Sequence, residues 1–241
     1  MASIKIEILL FTSNLQLLTS ALKMTFSEEN YLKTIYHLTT VSDLEVSTNA
    51  IAEMMDTKAS SVTDMLKKLA EKDLVNYVKY QGVSLTKKGK LAAKMIVRKH
   101  RLWEVFLVEK LHFSWDEVHD IAEQLEHIKS EKLINKLDDF LGNPTEDPHG
   151  DPIPNANGQI IAIEKQLLSE LSENQIGICV GVKDSSSEFL KYLDKQEISL
   201  GSKIEIISKE SFDMSLMIKV DSKELTISNK IASNLFVKVD Q

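Results

Sequence analysis

Cysteine is nearly missing from this chain of 241 residues. The single Cys179 cannot form an internal disulfide, which excludes a disulfide-stapled secreted scaffold and fits a reducing cytoplasm. It lies in the apolar run Ile176–Val182, where a thiol packs as a small hydrophobe rather than acting as a nucleophile. Long apolar runs are missing too. The stretch Ile8–Phe11, followed by Leu15, Leu17, Leu18 and Leu22, is preceded by Glu7 and broken by Asn14 and Gln16. It is too short and too interrupted to span a bilayer. There is no P-loop, no G-x-G-x-x-G, no G-x-S-x-G and no H-E-x-x-H, so the common nucleotide-binding, serine-hydrolase and zincin signatures are absent. Proline occurs four times (144, 148, 152, 154), all within residues 142–158 together with three of the eight glycines, which marks a boundary or linker. No internal repeat or low-complexity tract is present.

Charge is unevenly spread. The chain carries −7 overall, yet Lys58 to Arg101 holds twelve basic residues against three acids. That segment is therefore +9 and the remainder −16, a polarity that suits a basic face for an anionic partner and an acidic region for cations.

Met24 and Thr25, with Ser27 as a helix cap, look like a natural beginning, so residues 1–23 are expected to be an upstream extension. Apolar residues recur at helical spacing from Ser27 to Thr40. A short helix (Thr48–Met55), a tight connection at Asp56–Lys58 and a longer helix (Ala59–Asp73) then read as a helix-turn-helix. Two β-prone runs around Tyr80, Gln81 and Gly82 add a hairpin, or wing. The second helix of such a unit reads base edges with its N-terminal residues. Lys58, Ser60, Ser61, Thr63, Asp64 and Lys67, with Lys79 and Gln81 at the wing tip, are the candidate DNA contacts. Helices are expected from Lys90 to Leu111, from Trp115 through His127, over Ser130–Leu141 and over Ile160–Ser172. Five short strands follow, suiting a small SH3-like barrel.

The densest chemistry lies between His119 and His127. On one helix, His119, Glu123, Glu126 and His127 would share a face, with Val118, Ile121, Ala122 and Leu125 forming an apolar stripe able to pack a core or a dimer partner. His100 and Glu104 form a further i, i+4 pair. Imidazoles and carboxylates converging in this way make a divalent-cation site, whereas the bland alternative is a solvated helix face. Glu123–His127 also comes within one residue of the inverted zincin motif H-x-x-E-H, which keeps a metallohydrolase as a rival.

The residues Asn30-Tyr31-Leu32-Lys33-Thr34-Ile35-Tyr36, Ser60–Thr63, Leu85–Gly89, Arg98–Leu102, Val118–Asp120, Glu126-His127 and Asp147–Pro154 together resemble the diphtheria toxin repressor family of metal-dependent regulators, in its manganese branch. The resemblance runs from about Thr25 to the C-terminus. It implies a mainly α chain with α+β parts: a winged helix-turn-helix domain (24–95), a helical metal-binding and dimerisation domain with a Pro-rich linker (96–158), and an SH3-like, FeoA-type domain (159–241). It implies a homodimer on double-stranded operator DNA, acting in the cytoplasm, with no membrane partner and no small-molecule substrate. The main metal site would use Asn30, His100, Glu123, Glu126 and His127. A second would use Glu104, Asp147, His149 and Asp184, with His119 as an additional ligand or a partner behind one. Many relatives carry Asp or Met where this chain has Asn30, and the manganese branch frequently has Cys where it has Asp147. Glu123 stands where the iron branch often has Cys, and a carboxylate suits Mn²⁺ better than a thiolate does. The expectation is Mn²⁺, with Fe²⁺ as alternative and Zn²⁺ as an occupant in vitro. A winged-helix regulator indifferent to metal remains the other reading.

Overall fold

The computed structural model describes residues 24–41, 45–79, 81–161 and 164–239. The expected extension 1–23 and Tyr80 at the wing tip lie outside the described residues. By contacts the chain divides into two units. One holds the N-terminal part to His100 with residues 126–129 and 154–159, and the other holds 101–125, 130–153 and everything from Ile160 onward.

In the first unit, helix α1 (Phe26–Val41) precedes α2 (Thr48–Met54) and α3 (Ala59–Glu71), and strands β1 (Val75–Val78) and β2 (Gly82–Leu85) form an antiparallel hairpin. Ser47 caps α2 by accepting the Ala50 N–H, and Asp56 takes a positive φ in the turn before α3. Val62, Leu66 and Leu69 recur one helical turn apart on α3 and are fully buried. They share a core with Leu32 and Ile35 of α1, Ile51 of α2 and Val83 of the hairpin. The opposite face is therefore left to solvent. Gly82, with φ of +99°, makes the hairpin turn as the sequence indicates.

Helix α4 (Lys87–Leu111) begins in this unit and continues into the second. Thr86 caps it, accepting the Gly89 N–H and donating to the Asp73 carbonyl. Gly89 lies against the Leu74 backbone so closely that a Cβ there would fall 1.8 Å from the carbonyl oxygen.

The second unit continues with α5 (Val118–Leu125) and α6 (Glu131–Phe140), the latter capped by Ser130. It ends in a six-stranded antiparallel sheet of order β3-β8-β4-β5-β6-β7. The strands are β3 (Gln166–Leu167), β4 (Ile176–Val182), β5 (Lys203–Lys209), β6 (Leu216–Val220), β7 (Lys223–Ile227) and β8 (Leu235–Val239), with α7 (Ser187–Gln196) and α8 (Asn229–Ala232) beside them. This is the small β domain expected from the strand pattern. No helix among the described residues is long and apolar enough to cross a membrane.

Three expectations need correction. Ile160–Ser172 is not a helix: its described residues give β3, paired to β8, and a 3₁₀ turn at Leu168–Glu170. The apolar spacing that suggested a helix instead buries Leu168 and Leu171 in the sheet domain's core. The helix expected from Trp115 to His127 is shorter, so Glu126 and His127 lie in a turn beyond α5. Finally, Ser27 is not the cap of α1: the helix starts at Phe26, and Thr25 takes that place with its hydroxyl accepting the Glu28 N–H.

Substituting Gly89→Ala should lower stability by about 2 kcal/mol through overpacking against the Leu74 carbonyl. Urea unfolding checks this, and an unchanged midpoint would contradict the close approach.

Candidate metal centres and nucleic-acid interface

In the first unit the buried polar groups gather around Glu126, whose side chain is 0% exposed. Its Oε2 lies 2.7 Å from His100 Nδ1 and accepts a hydrogen bond of 2.7 Å from Lys33 Nζ. Burial pushes the Glu126 carboxyl up, but the hydrogen bond from His100 and the Lys33 ammonium outweigh it and hold it below the usual carboxylate range. Its second oxygen, Oε1, is buried and accepts no hydrogen bond, and the same holds for Asn30 Oδ1. An orphaned buried acceptor costs roughly 1–3 kcal/mol. A divalent cation would satisfy either one, because carboxylate and amide oxygens are hard donors. The donor set therefore fits a metal.

His127, next in sequence, points its Nδ1 at Glu29 Oε2, 2.6 Å away, and stacks on Phe26 with ring centroids 4.4 Å apart. A carboxylate can only accept, so Nδ1 carries the proton and, in the neutral ring, Nε2 keeps its lone pair for a cation. Glu29 and Lys33 both lie on α1 and are buried, and sequence reasoning gave neither a role. Glu29 reads as an ordinary acid in a helix's first turn, and Lys33 sits within a quoted motif without any cue to its partner.

Glu123 belongs to the second unit, on α5, where it is 3.9 Å from His119 Nε2. His119 Nδ1 is in turn 3.5 Å from Glu104 Oε1. Glu104, Asp147 and His149 are all buried there and bring their ligand atoms within 4.8 Å of one another. The proline-rich segment is not a loose linker at this point. Val182 of β4 donates to the His149 carbonyl, and Gly150 packs so close to Val180 that a Cβ would fall 1.9 Å from its carbonyl oxygen. His149 Nε2 donates to the Trp115 carbonyl, so in the neutral ring the lone pair is on Nδ1, the atom 3.9 Å from Glu104. Asp147 Oδ1 accepts the N–H groups of His149 and Asp151, and Oδ2 faces Arg101 at 3.2 Å. Burial, with the Glu104 carboxylate beside it, pushes the Asp147 carboxyl up to about 7 despite Arg101. Asp184 is not in this group; its carboxylate accepts the Ser186 N–H at the start of α7.

The candidate DNA contacts sit at the start of α3 and on the wing. Lys58, Ser60, Ser61, Asp64 and Lys67 are exposed, as are Lys79 and Gln81. Asp64 and Lys67 pair at 3.1 Å, and the half-buried Thr63 hydroxyl donates to the Ala59 carbonyl.

The chain thus combines a helix-turn-helix unit whose candidate reading face is exposed, clustered metal-type ligands and a small β domain, the domain make-up of a metal-responsive regulator. The comparisons agree. The N-terminal DNA binding domain of iron dependent repressors matches residues 23–83, their metal binding and dimerisation domain matches 86–155, and a FeoA domain matches 166–239. The iron-dependent repressor IdeR of Mycobacterium bovis is 36% identical over 126 residues, covering 52% of this chain and 54% of that protein. The regulator MntR of Oceanobacillus iheyensis is 36% identical over 115 residues, covering 48% and 77%. A manganese-dependent transcriptional repressor in complex with manganese superposes with a TM-score of 0.77 at 35% identity, over 88% of this chain and 99% of that one. The chain belongs to the iron dependent repressor family and is MntR-like within it. It spans about half the length of the IdeR proteins it matches.

The depressed Glu126 carboxyl makes stability depend on acid. Its contribution is fully present above the unfolded value of 4.5 and is lost as pH falls through the lower folded value. Thermal melts of metal-free protein should drop in that window, and Glu126→Gln should flatten the drop. An identical acid profile in the variant would contradict the pairing.

Proposed function

We propose that this protein is a metal-dependent repressor that binds operator DNA as a homodimer in the cytoplasm, with Mn²⁺ as corepressor and Fe²⁺ as alternative, and that it controls metal uptake. The observation carrying this reading is the pair of buried, unsatisfied oxygens, Asn30 Oδ1 and Glu126 Oε1. Asn30, His100, Glu126 and His127 would hold the ion. Glu104, Asp147 and His149 would form a second site, with His119 beside Glu104. A bound divalent ion supplies two positive charges to offset carboxylates that otherwise depend on the protein's own cations.

Asn30 lies on α1, which shares a core with α3 through Leu32 and Ile35. Glu28, in the first turn of α1, pairs at 2.7 Å with Lys72 just past the end of α3. Holding Asn30 therefore restrains α1, and α1 restrains the helix that presents Lys58, Ser60 and Ser61. The restraint favours those conformers whose reading helices match the operator half-sites. Manganese is favoured over zinc by the number and hardness of the oxygen donors rather than by raw affinity, in which Zn²⁺ exceeds Mn²⁺. Related solved structures are named for manganese, cadmium and zinc. The IdeR relative and the manganese-complexed structure are named as repressors and not as hydrolases, so the near-match to an inverted zincin motif carries no catalytic role.

One observation favours the metal-independent reading: Lys33 already neutralises Glu126 without any metal. A gel shift with operator DNA separates the two. The wild type should bind with added Mn²⁺ and release with chelator, and Glu126→Gln should lose most of that response. An undiminished response in the variant would remove Glu126 from the site, and chelator-insensitive binding by the wild type would select the other reading.

A further inference from the structure

Lys33 lies three residues after Asn30 on α1, and its ammonium meets the carboxylate that the metal reading assigns to the ion. The contact is 2.7 Å to Glu126 Oε2, with the lysine side chain 10% exposed and the glutamate 0%. A buried carboxylate without a counter-charge is strongly unfavourable, and a direct ion pair with hydrogen bonds is the usual remedy. The surroundings supply more of the same. Lys99, half-buried on α4, is lowered from its ordinary lysine value mainly by desolvation, with Glu29 and Glu126 acting against that as attractive charges and Lys129 and Lys33 adding to it as repulsive ones. Lys129 also stands over the Phe26 ring, which stacks on His127. The first unit thus surrounds Glu29 and Glu126 with its own cations.

We propose that Lys33 is a built-in counter-cation that competes with the metal for Glu126 and so sets the concentration at which the site responds. The inference rests on the metal reading above and adds a regulatory residue to that site. While Lys33 holds Oε2, Glu126 has one oxygen to offer and a positive charge stands beside the incoming ion. Like charges a few ångströms apart in a poorly hydrated interior repel strongly. Binding therefore requires the ammonium to withdraw, or the ion to tolerate it, and either weakens affinity. In exchange, the metal-free protein keeps its buried carboxylate neutralised and its fold intact, and the threshold for metal is raised above what the ligands alone would give.

The test is a Mn²⁺ titration of the full chain against a fluorescent chelator, beside thermal melts without metal. Lys33→Met and Lys33→Gln should each bind Mn²⁺ about tenfold tighter, ~1.4 kcal/mol, and should melt at a lower temperature than wild type when metal-free. Lys33→Arg, which keeps the charge, should stay near wild-type affinity. Equal or weaker Mn²⁺ binding by a folded neutral variant would overturn the proposal while leaving the metal site standing. If wild type and Glu126→Gln bind Mn²⁺ equally, the metal reading itself fails and the counter-cation role fails with it.

Discussion

The buried carboxylate of Glu126 is the constraint on which the first unit's functional arrangement depends. It cannot remain in an apolar interior without positive charge or donors. It draws in His100 from α4 and Lys33 from α1, two elements far apart in sequence, and it does so from a turn rather than from a helix. His127, the next residue, repeats the pattern with Glu29. Two consecutive side chains after α5 thereby fasten that turn to α1 with hydrogen bonds of 2.6–2.7 Å. Because α1 shares a core with α3, whatever sits at Glu126 is mechanically connected to the helix that carries the candidate DNA contacts.

Much of the architecture was legible in the sequence, for reasons that differ by element. Helix α3 announces itself through Val62, Leu66 and Leu69, a helical repeat with no competing signal, and Gly82 and the short β-prone runs identify the wing. Five of the sheet's strands were visible as apolar runs between turn residues. The failures are tertiary. Ile160–Ser172 has helix-like apolar spacing, but strand β8 offers a partner to Gln166 and Leu167, and an edge pairing outweighs a weak local preference. The end of α5 was misread because the ligand spacing fits one helical face, whereas Glu126 and His127 leave the helix to meet partners on α1.

The site was legible by residue type but not by connection. His100, Glu126, Glu104, Asp147 and His149 could be chosen from their chemistry and from family resemblance. Which groups orient them could not. Glu29 fixes the tautomer of His127, the Trp115 carbonyl fixes that of His149, and Arg101 braces Asp147 and Asp151. Each of these partners is unremarkable in sequence. The apparent linker is likewise tied down, since Gly150 and His149 are laced to β4 and hold Asp147 in place.

Under the proposed function, metal occupancy at Glu126 and the conformation of the helix-turn-helix unit are two views of one equilibrium. Thermodynamic linkage then requires operator DNA to strengthen metal binding by the factor with which metal strengthens DNA binding. The most direct measurement is a Mn²⁺ titration of the full chain with and without saturating operator duplex. The account predicts tighter Mn²⁺ binding in the presence of the duplex. An affinity for Mn²⁺ that is the same with and without operator would contradict it.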